Sequence, residues 1–190
     1  MNQVDALKRL YDQLEGRRAY PVEQWDPPFC GDMDIRIDGD GRWWYRENPI
    51  DRPELVRLFA AILKREGHDY MLVTPVEKVR IQVKDVPFVF TRYRILEDQG
   101  LTWLALETET GDNVVVSAEH PIELRQRAGE SVELPYVEVR NNLWGVPGRA
   151  LYYRLIEECL VERALPGQGL VWGVQSGGEF YPLSRQVSSG

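Results

Sequence analysis

The chain states one pattern twice, and a repeated unit restricts its possible folds more than any other feature. Ile35-Arg36-Ile37 alternates as a short strand and is followed by a turn and the pair Trp43-Trp44. A helix is predicted from about Arg52. Val137-Glu138-Val139 is another such strand, followed by the turn Asn141-Asn142, Leu143-Trp144 and a helix from about Gly148. Apolar helix positions match across the copies: Leu55 with Tyr152, Leu58 with Leu155, Phe59 with Ile156, Ile62 with Cys159 and Leu63 with Leu160. A hairpin follows each helix, over Tyr70 to Val83 and Leu170 to Leu183. Two copies of a unit with one apolar face pack on each other. The groove left at their junction is the expected binding position.

The rest of the chain supports an α+β fold with few helices, mostly antiparallel sheets and this internal duplication. Val4, Leu7, Leu10, Tyr11 and Leu14 recur at helical spacing, which predicts an amphipathic helix over 3–15 within an N-terminal segment 1–20. Pro21, Pro27 and Pro28 make the next stretch extended, with Trp25 and Phe29 expected to pin it to the core. The first copy spans 21–84. Its helix start carries Asp51 as a cap, Pro53 and Glu54 in capping-box spacing, and Gly67 as the stop. Residues 85–190 hold an antiparallel sheet and the second copy, whose helix stops at Leu165-Pro166-Gly167. No βαβ rhythm indicates a parallel nucleotide-binding sheet.

Composition excludes several classes of function. The net charge of −7 argues against duplex nucleic acid as a partner, because backbone binding needs clustered Lys and Arg. No apolar run is long enough to cross a bilayer, and Met1 to Glu15 lacks the apolar stretch of a secretory signal. The two cysteines, Cys30 and Cys159, are far apart, and the reading is a reduced, cytoplasmic protein without a membrane partner. Asp32, Asp34, Asp38 and Asp40 invite a calcium loop, but Arg36 and Tyr45 stand where ligands are needed, so Asp38-Gly39-Asp40-Gly41 reads as a tight turn. His68 and His120 have no metal-ligand partners at knuckle or helix spacing. No cofactor fingerprint, nucleophile elbow or P-loop occurs.

Several runs carry a resemblance. Cys30-Gly31-Asp32-Met33-Asp34-Ile35, Gly39 to Tyr45, Asn48-Pro49-Ile50-Asp51-Arg52, Thr74-Pro75-Val76-Glu77-Lys78 and Asp85-Val86-Pro87-Phe88 resemble the bacterial domain-of-unknown-function 1285 family. The resemblance covers about Trp25 to Leu183 and is most specific in its N-terminal half. It implies a duplicated α+β fold with a C-terminal half somewhat like pleckstrin-homology domains. It also implies a ligand site between the halves for a nucleotide-like molecule and a role in signalling. It carries over no catalytic residue.

The residues themselves point to a small anion. The second helix begins Gly145-Val146-Pro147-Gly148-Arg149, without a Ser, Thr, Asp or Asn cap, so its leading amides need another acceptor. Arg149 adds a positive charge, and Arg140, Asn141 and Asn142 are nearby polar contributors. Thr74, Glu77 and Lys78 occupy a strand-end turn suited to a rim, against the plainer reading of a turn with a surface ion pair. Only one of Trp43 and Trp44 can face the core. The expectation is therefore a non-enzymatic small-ligand-binding or signalling protein. Its groove runs near Trp44, Thr74, Glu77, Lys78 and Trp144, with Arg149 at the anionic end. The alternatives are a protein-interaction module using an edge strand at Val79 to Val83, and an enzyme using Glu77 as acid or base.

Overall fold

The computed structural model describes residues 19–127 and 129–184. The helix predicted over 3–15 lies outside the described residues. A 3-10 turn at Val22–Gln24 leads into β1 (Phe29–Ile37), β2 (Trp43–Tyr45), β3 (Asn48–Pro49) and helix α1 (Pro53–Ala61). The meander β4 (Leu63–Glu66), β5 (Asp69–Val73) and β6 (Lys78–Val83) completes the first half. The second half opens with β7 (Phe88–Asp98), β8 (Leu101–Thr108), β9 (Asn113–Val115) and β10 (Glu123–Gln126). It then repeats the unit: β11 (Glu133–Arg140), β12 (Leu143–Pro147), helix α2 (Arg149–Cys159), and the meander β13 (Val161–Leu165), β14 (Gly169–Ser176) and β15 (Glu179–Pro182). Strand hairpin, helix and three-stranded meander thus recur in order, and the expected duplicated, antiparallel-rich α+β fold is present.

The copies diverge in how their parts pair. In the first, β6 returns to lie parallel to β1, giving the sheet order β3-β2-β1-β6-β5-β4. In the second, the meander stays a separate three-stranded sheet, and β12 pairs parallel with β7 in the order β10-β11-β12-β7-β8-β9. Leu143 to Pro147 is buried throughout, whereas Tyr45 in β2 is exposed. A continuous apolar run suits a strand covered on both faces, so β12 takes a central place that β2 cannot.

One core joins both halves. Ile35, Ile37, Trp43, Leu63, Leu72 and Ile81 pack in the same cluster as Phe88, Phe90, Leu104, Leu106, Leu151 and Leu155. Trp43 faces this core, stacked on Phe59 with ring centroids 6.0 Å apart, while Trp44 points the other way. Ser176 stitches β14 to the central sheet: its Oγ accepts from the amide of Leu104 at 2.9 Å and donates to the carbonyl of Val116 at 2.6 Å.

Several local expectations are corrected. Helix α1 ends at Ala61, because the carbonyl of Ile62 already accepts from Val73 and begins the pairing of β4 with β5. Gly67 and His68 therefore sit in a hairpin turn. Likewise α2 ends at Cys159, and Pro166-Gly167 lies in the turn between β13 and β14. The N-cap of α1 is Arg52 with no side-chain cap bond, so the capping box through Asp51 does not form. Leu58 is exposed while its sequence match Leu155 is buried. Pairing Leu55, Val56, Phe59 and Ala60 with Leu151, Tyr152, Leu155 and Ile156 sets covered positions against covered ones, a slip of one residue. Phe29 is half exposed on β1 rather than pinned in the core, whereas Trp25 packs on Val22, Met71 and Val73. The segment Val79 to Val83 is interior, paired with β1 and β5, and offers no free edge.

Candidate functional site

The site is built where a turn of the first half meets the start of α2. Between β1 and β2 the chain reverses through Asp38 to Gly41. The Asp38 carboxylate accepts from the amides of Asp40 and Arg42 at 2.9 and 3.0 Å, and from the indole Nε1 of Trp44 at 2.9 Å. Gly41 has φ +80, and a Cβ there would lie 2.5 Å from Cγ2 of Val89. Both the left-handed backbone and the close approach require glycine. Val89 belongs to β7 in the second half. On its other side it meets Gly148, where a Cβ would lie 3.2 Å from its Cγ1. The turn and the start of α2 thus face each other across one valine side chain.

A cavity of about 500 Å³ opens at this junction. Gly39 and Asp40 line it from the first half, and Arg127, Glu130, Leu134, Val146, Gly148, Arg149 and Tyr152 from the second. A further cavity of about 390 Å³ shares Gly39, Asp40, Arg127 and Glu130 with it and extends to Lys84 and Asp85. The volume falls in the range of sites for small ligands.

The electrostatics are mixed. The N-cap of α2 is Gly148, which has no side chain to cap the helix, so the first amides keep their partial positive charge at a helix start that Gly148 and Arg149 place on the cleft wall. Arg149 is exposed and makes no ion pair among the described residues. Arg127 is engaged: its Nε donates to Asp85 at 3.1 Å, and its guanidinium lies 3.5 Å from Glu130. Asp85 also accepts from the hydroxyl of Tyr136 at 2.7 Å, which ties the wall of the cleft to the connection between the halves. Burial raises the pKa of Tyr152, and the neighbouring Tyr153 adds to the shift, so its phenol stays neutral.

The residues singled out from sequence do not form one group. Arg149 lines the cleft. Trp44 is linked to it only through Asp38, and carries the guanidinium of Arg36 at 4.6 Å from its ring. Thr74 and Glu77 close a tight turn, in which the Thr74 amide and Oγ1 donate to the Glu77 carbonyl. Lys78 is held by Glu66 at 2.9 Å, and that bond is the main reason the Glu66 carboxyl lies below its ordinary range. Asn141 and Asn142 supply the left-handed turn of the β11–β12 hairpin with φ 45 and 62. Asn142 accepts from the Trp144 indole at 3.0 Å, and Arg125 lies 3.8 Å over the Trp144 ring. Arg140 bonds Asp112 and the carbonyl of Ala60. This group sits at the opposite end of β12 from Gly148, about 15 Å away at the rise of a strand. Asp40, Val89, Arg127, Glu130 and Tyr152 were not distinguished by sequence reasoning as site residues. They come from four separated stretches and share no motif. Among the described residues no group of three or more His, Cys, Asp or Glu is placed to hold a metal ion.

The Asp38 anchor yields a pH prediction. Partial burial works to raise its pKa, but the bonds from Trp44, Arg42 and Asp40 outweigh it and hold it below the ordinary 3.8. A carboxyl depressed in the folded state stabilises above its unfolded pKa and loses that contribution as pH falls through the folded value. Asp38→Asn should therefore be less stable than the parent near neutrality. The difference should shrink below pH 3.8. Urea denaturation at a series of pH values checks this, and a difference independent of pH would refute it.

Comparison with known proteins places this arrangement. The model of the N-terminal domain of DUF1285, a domain of unknown function, matches residues 20–86. The model of the C-terminal domain of DUF1285 matches residues 87–183. The chain belongs to the DUF1285 family. A crystal structure of a DUF1285 family protein from Silicibacter pomeroyi DSS-3 is similar at 38% identity, with 92% of each chain covered and a TM-score of 0.78. Another, from Shewanella baltica OS155, is similar at 29% identity over 66% of this chain and 92% of that one, with a TM-score of 0.52. No functionally curated protein matches. In the family's own division of the chain, Val89 lies just inside the C-terminal domain, and the cleft is formed by residues of both domains. No helix among the described residues is long and apolar enough to cross a membrane.

Proposed function

We propose that this DUF1285 protein is a cytoplasmic binding protein that holds a small anion in the cleft between its two domains. The nucleotide-like ligand class implied by the family resemblance fits such a site. The observation that carries the reading is the cavity of about 500 Å³ at the uncapped start of α2, with Arg149 on its rim. Helix starts stabilise negative groups through free amides and the aligned peptide dipoles, and an adjacent guanidinium adds to that. The shared core makes large relative movement of the halves costly. Occupancy is therefore read out at the surface around the cleft rather than by separation of the domains. An enzyme built on Glu77 gains no support, since this side chain is exposed on a turn and does not line the cleft.

A thermal-shift panel of inorganic phosphate, nucleoside monophosphates and sugar phosphates tests the proposal. A ligand at 100 times its Kd that binds only the folded state stabilises it by about 2.7 kcal/mol. Arg149→Ala should remove the shift while leaving the unliganded melting temperature unchanged. A panel without any shift would sink the anion reading and move the weight to a protein partner.

A further inference from the structure

The walls of the junction cleft are more apolar than a site for a bare anion needs. Leu134, Val146 and Tyr152 form its inner side. On its rim, Val132 and Tyr153 are each 56% exposed. Tyr153 sits on the first turns of α2 with its ring centroid 6.2 Å from that of Tyr152. Large apolar side chains left open around a concave site are what a ligand's own apolar surface covers.

The polar groups of the cleft lead to the same conclusion from the other side. Arg127 is already committed to Asp85 and Glu130. That leaves Arg149 and the helix amides as the free positive groups at the α2 end, with the carboxylate of Asp40 on the facing turn. One exposed arginine opposed by an aspartate holds a hydrated anion weakly, because solvent screens both charges. Affinity must then come from apolar contact, with the charge fixing orientation.

Granting the anion reading above, we infer that the ligand is amphiphilic. It carries an apolar body, a planar ring or short acyl group, that covers Tyr153 and Val132, and a single anionic end that meets Gly148 and Arg149. The charge complementarity at the helix start and the size of the cavity favour a small molecule of this kind over a second copy of the chain.

Calorimetric titration of the full chain with phenyl phosphate and methyl phosphate tests this, because the two share a head group and differ in the body. Phenyl phosphate should bind at least about tenfold more tightly, the effect expected for burying a ring's apolar surface. Tyr153→Ser combined with Val132→Ser should reduce phenyl phosphate to the affinity of methyl phosphate. Both residues are solvent-exposed, and a thermal melt confirms that the variant folds. Arg149→Ala should weaken phenyl phosphate as well. Equal affinity of the two probes would overturn the amphiphilic ligand and leave the anion reading standing. Binding of neither probe would overturn both. Light scattering on the free chain distinguishes the remaining occupant: a dimer lost in the Tyr153→Ser, Val132→Ser variant would assign the face to a second copy and overturn the inference.

Discussion

Asp112→Ala is expected to destabilise the fold by about 2–3 kcal/mol, because it strands a largely buried guanidinium. Arg140 projects from β11 into the junction between the halves, where Asp112 binds its Nη1 at 2.8 Å and the carbonyl of Ala60 accepts from its Nη2. Its ring-facing side lies 5.1 Å from the centroid of Phe88. Burial pulls the pKa of Arg140 below its ordinary value, against the pull of the Asp112 charge, so this charge sits where solvent compensates it poorly. The Ala60 carbonyl belongs to the last turn of α1, where the Ile62 amide also reaches it, so Arg140 adds a cationic cap to that helix end from the other domain. Removing one partner of such a pair costs more than removing both. Urea denaturation of Asp112→Ala, Arg140→Met and the double variant measures this directly. The double variant should lose less than the sum of the two single losses. Strict additivity would show that the pair is not coupled.

Phe90→Ala is expected to cost about 3–5 kcal/mol, the range for deleting a fully buried aromatic side chain. Phe90 has no exposed surface and belongs to the cluster that both halves share. Its ring sits against Gly145, where a Cβ would come within 2.7 Å of Cζ. Its carbonyl accepts from the amide of Gly148 at 3.0 Å, which seats the start of α2 beside the strand. The cavity left by the ring therefore opens in the shared core, on the face of β7 opposite to Val89. Chemical denaturation reads the stability loss, and a loss under about 1 kcal/mol would mean that the surrounding structure collapses to fill the space.

Much of the architecture was legible in the residues. Alternation in Ile35-Arg36-Ile37 and Val79 to Val83, the turn residues at Asp38 to Gly41 and Asn141-Asn142, and the missing cap at Gly148 all act over a few neighbours. Backbone and capping preferences of that kind are carried by local sequence. The family membership rests on the same local runs. Tertiary structure decided the rest. The pairing of Ile62 with Val73 ended α1 against the pattern of its own apolar residues, because a ladder bond and the burial of Leu63 outweigh a further turn of helix. The pairing of β11 with β10, where β1 pairs with β6, left β13 to β15 as a separate sheet and separated the two copies. The cleft is the clearest case. Its Asp40, Val89, Arg127 and Arg149 lie far apart along the chain and are brought together only because Gly41 and Gly148 close on one valine. Helix starts and turns are local properties that a sequence can state, whereas a concave surface exists only after distant segments have packed.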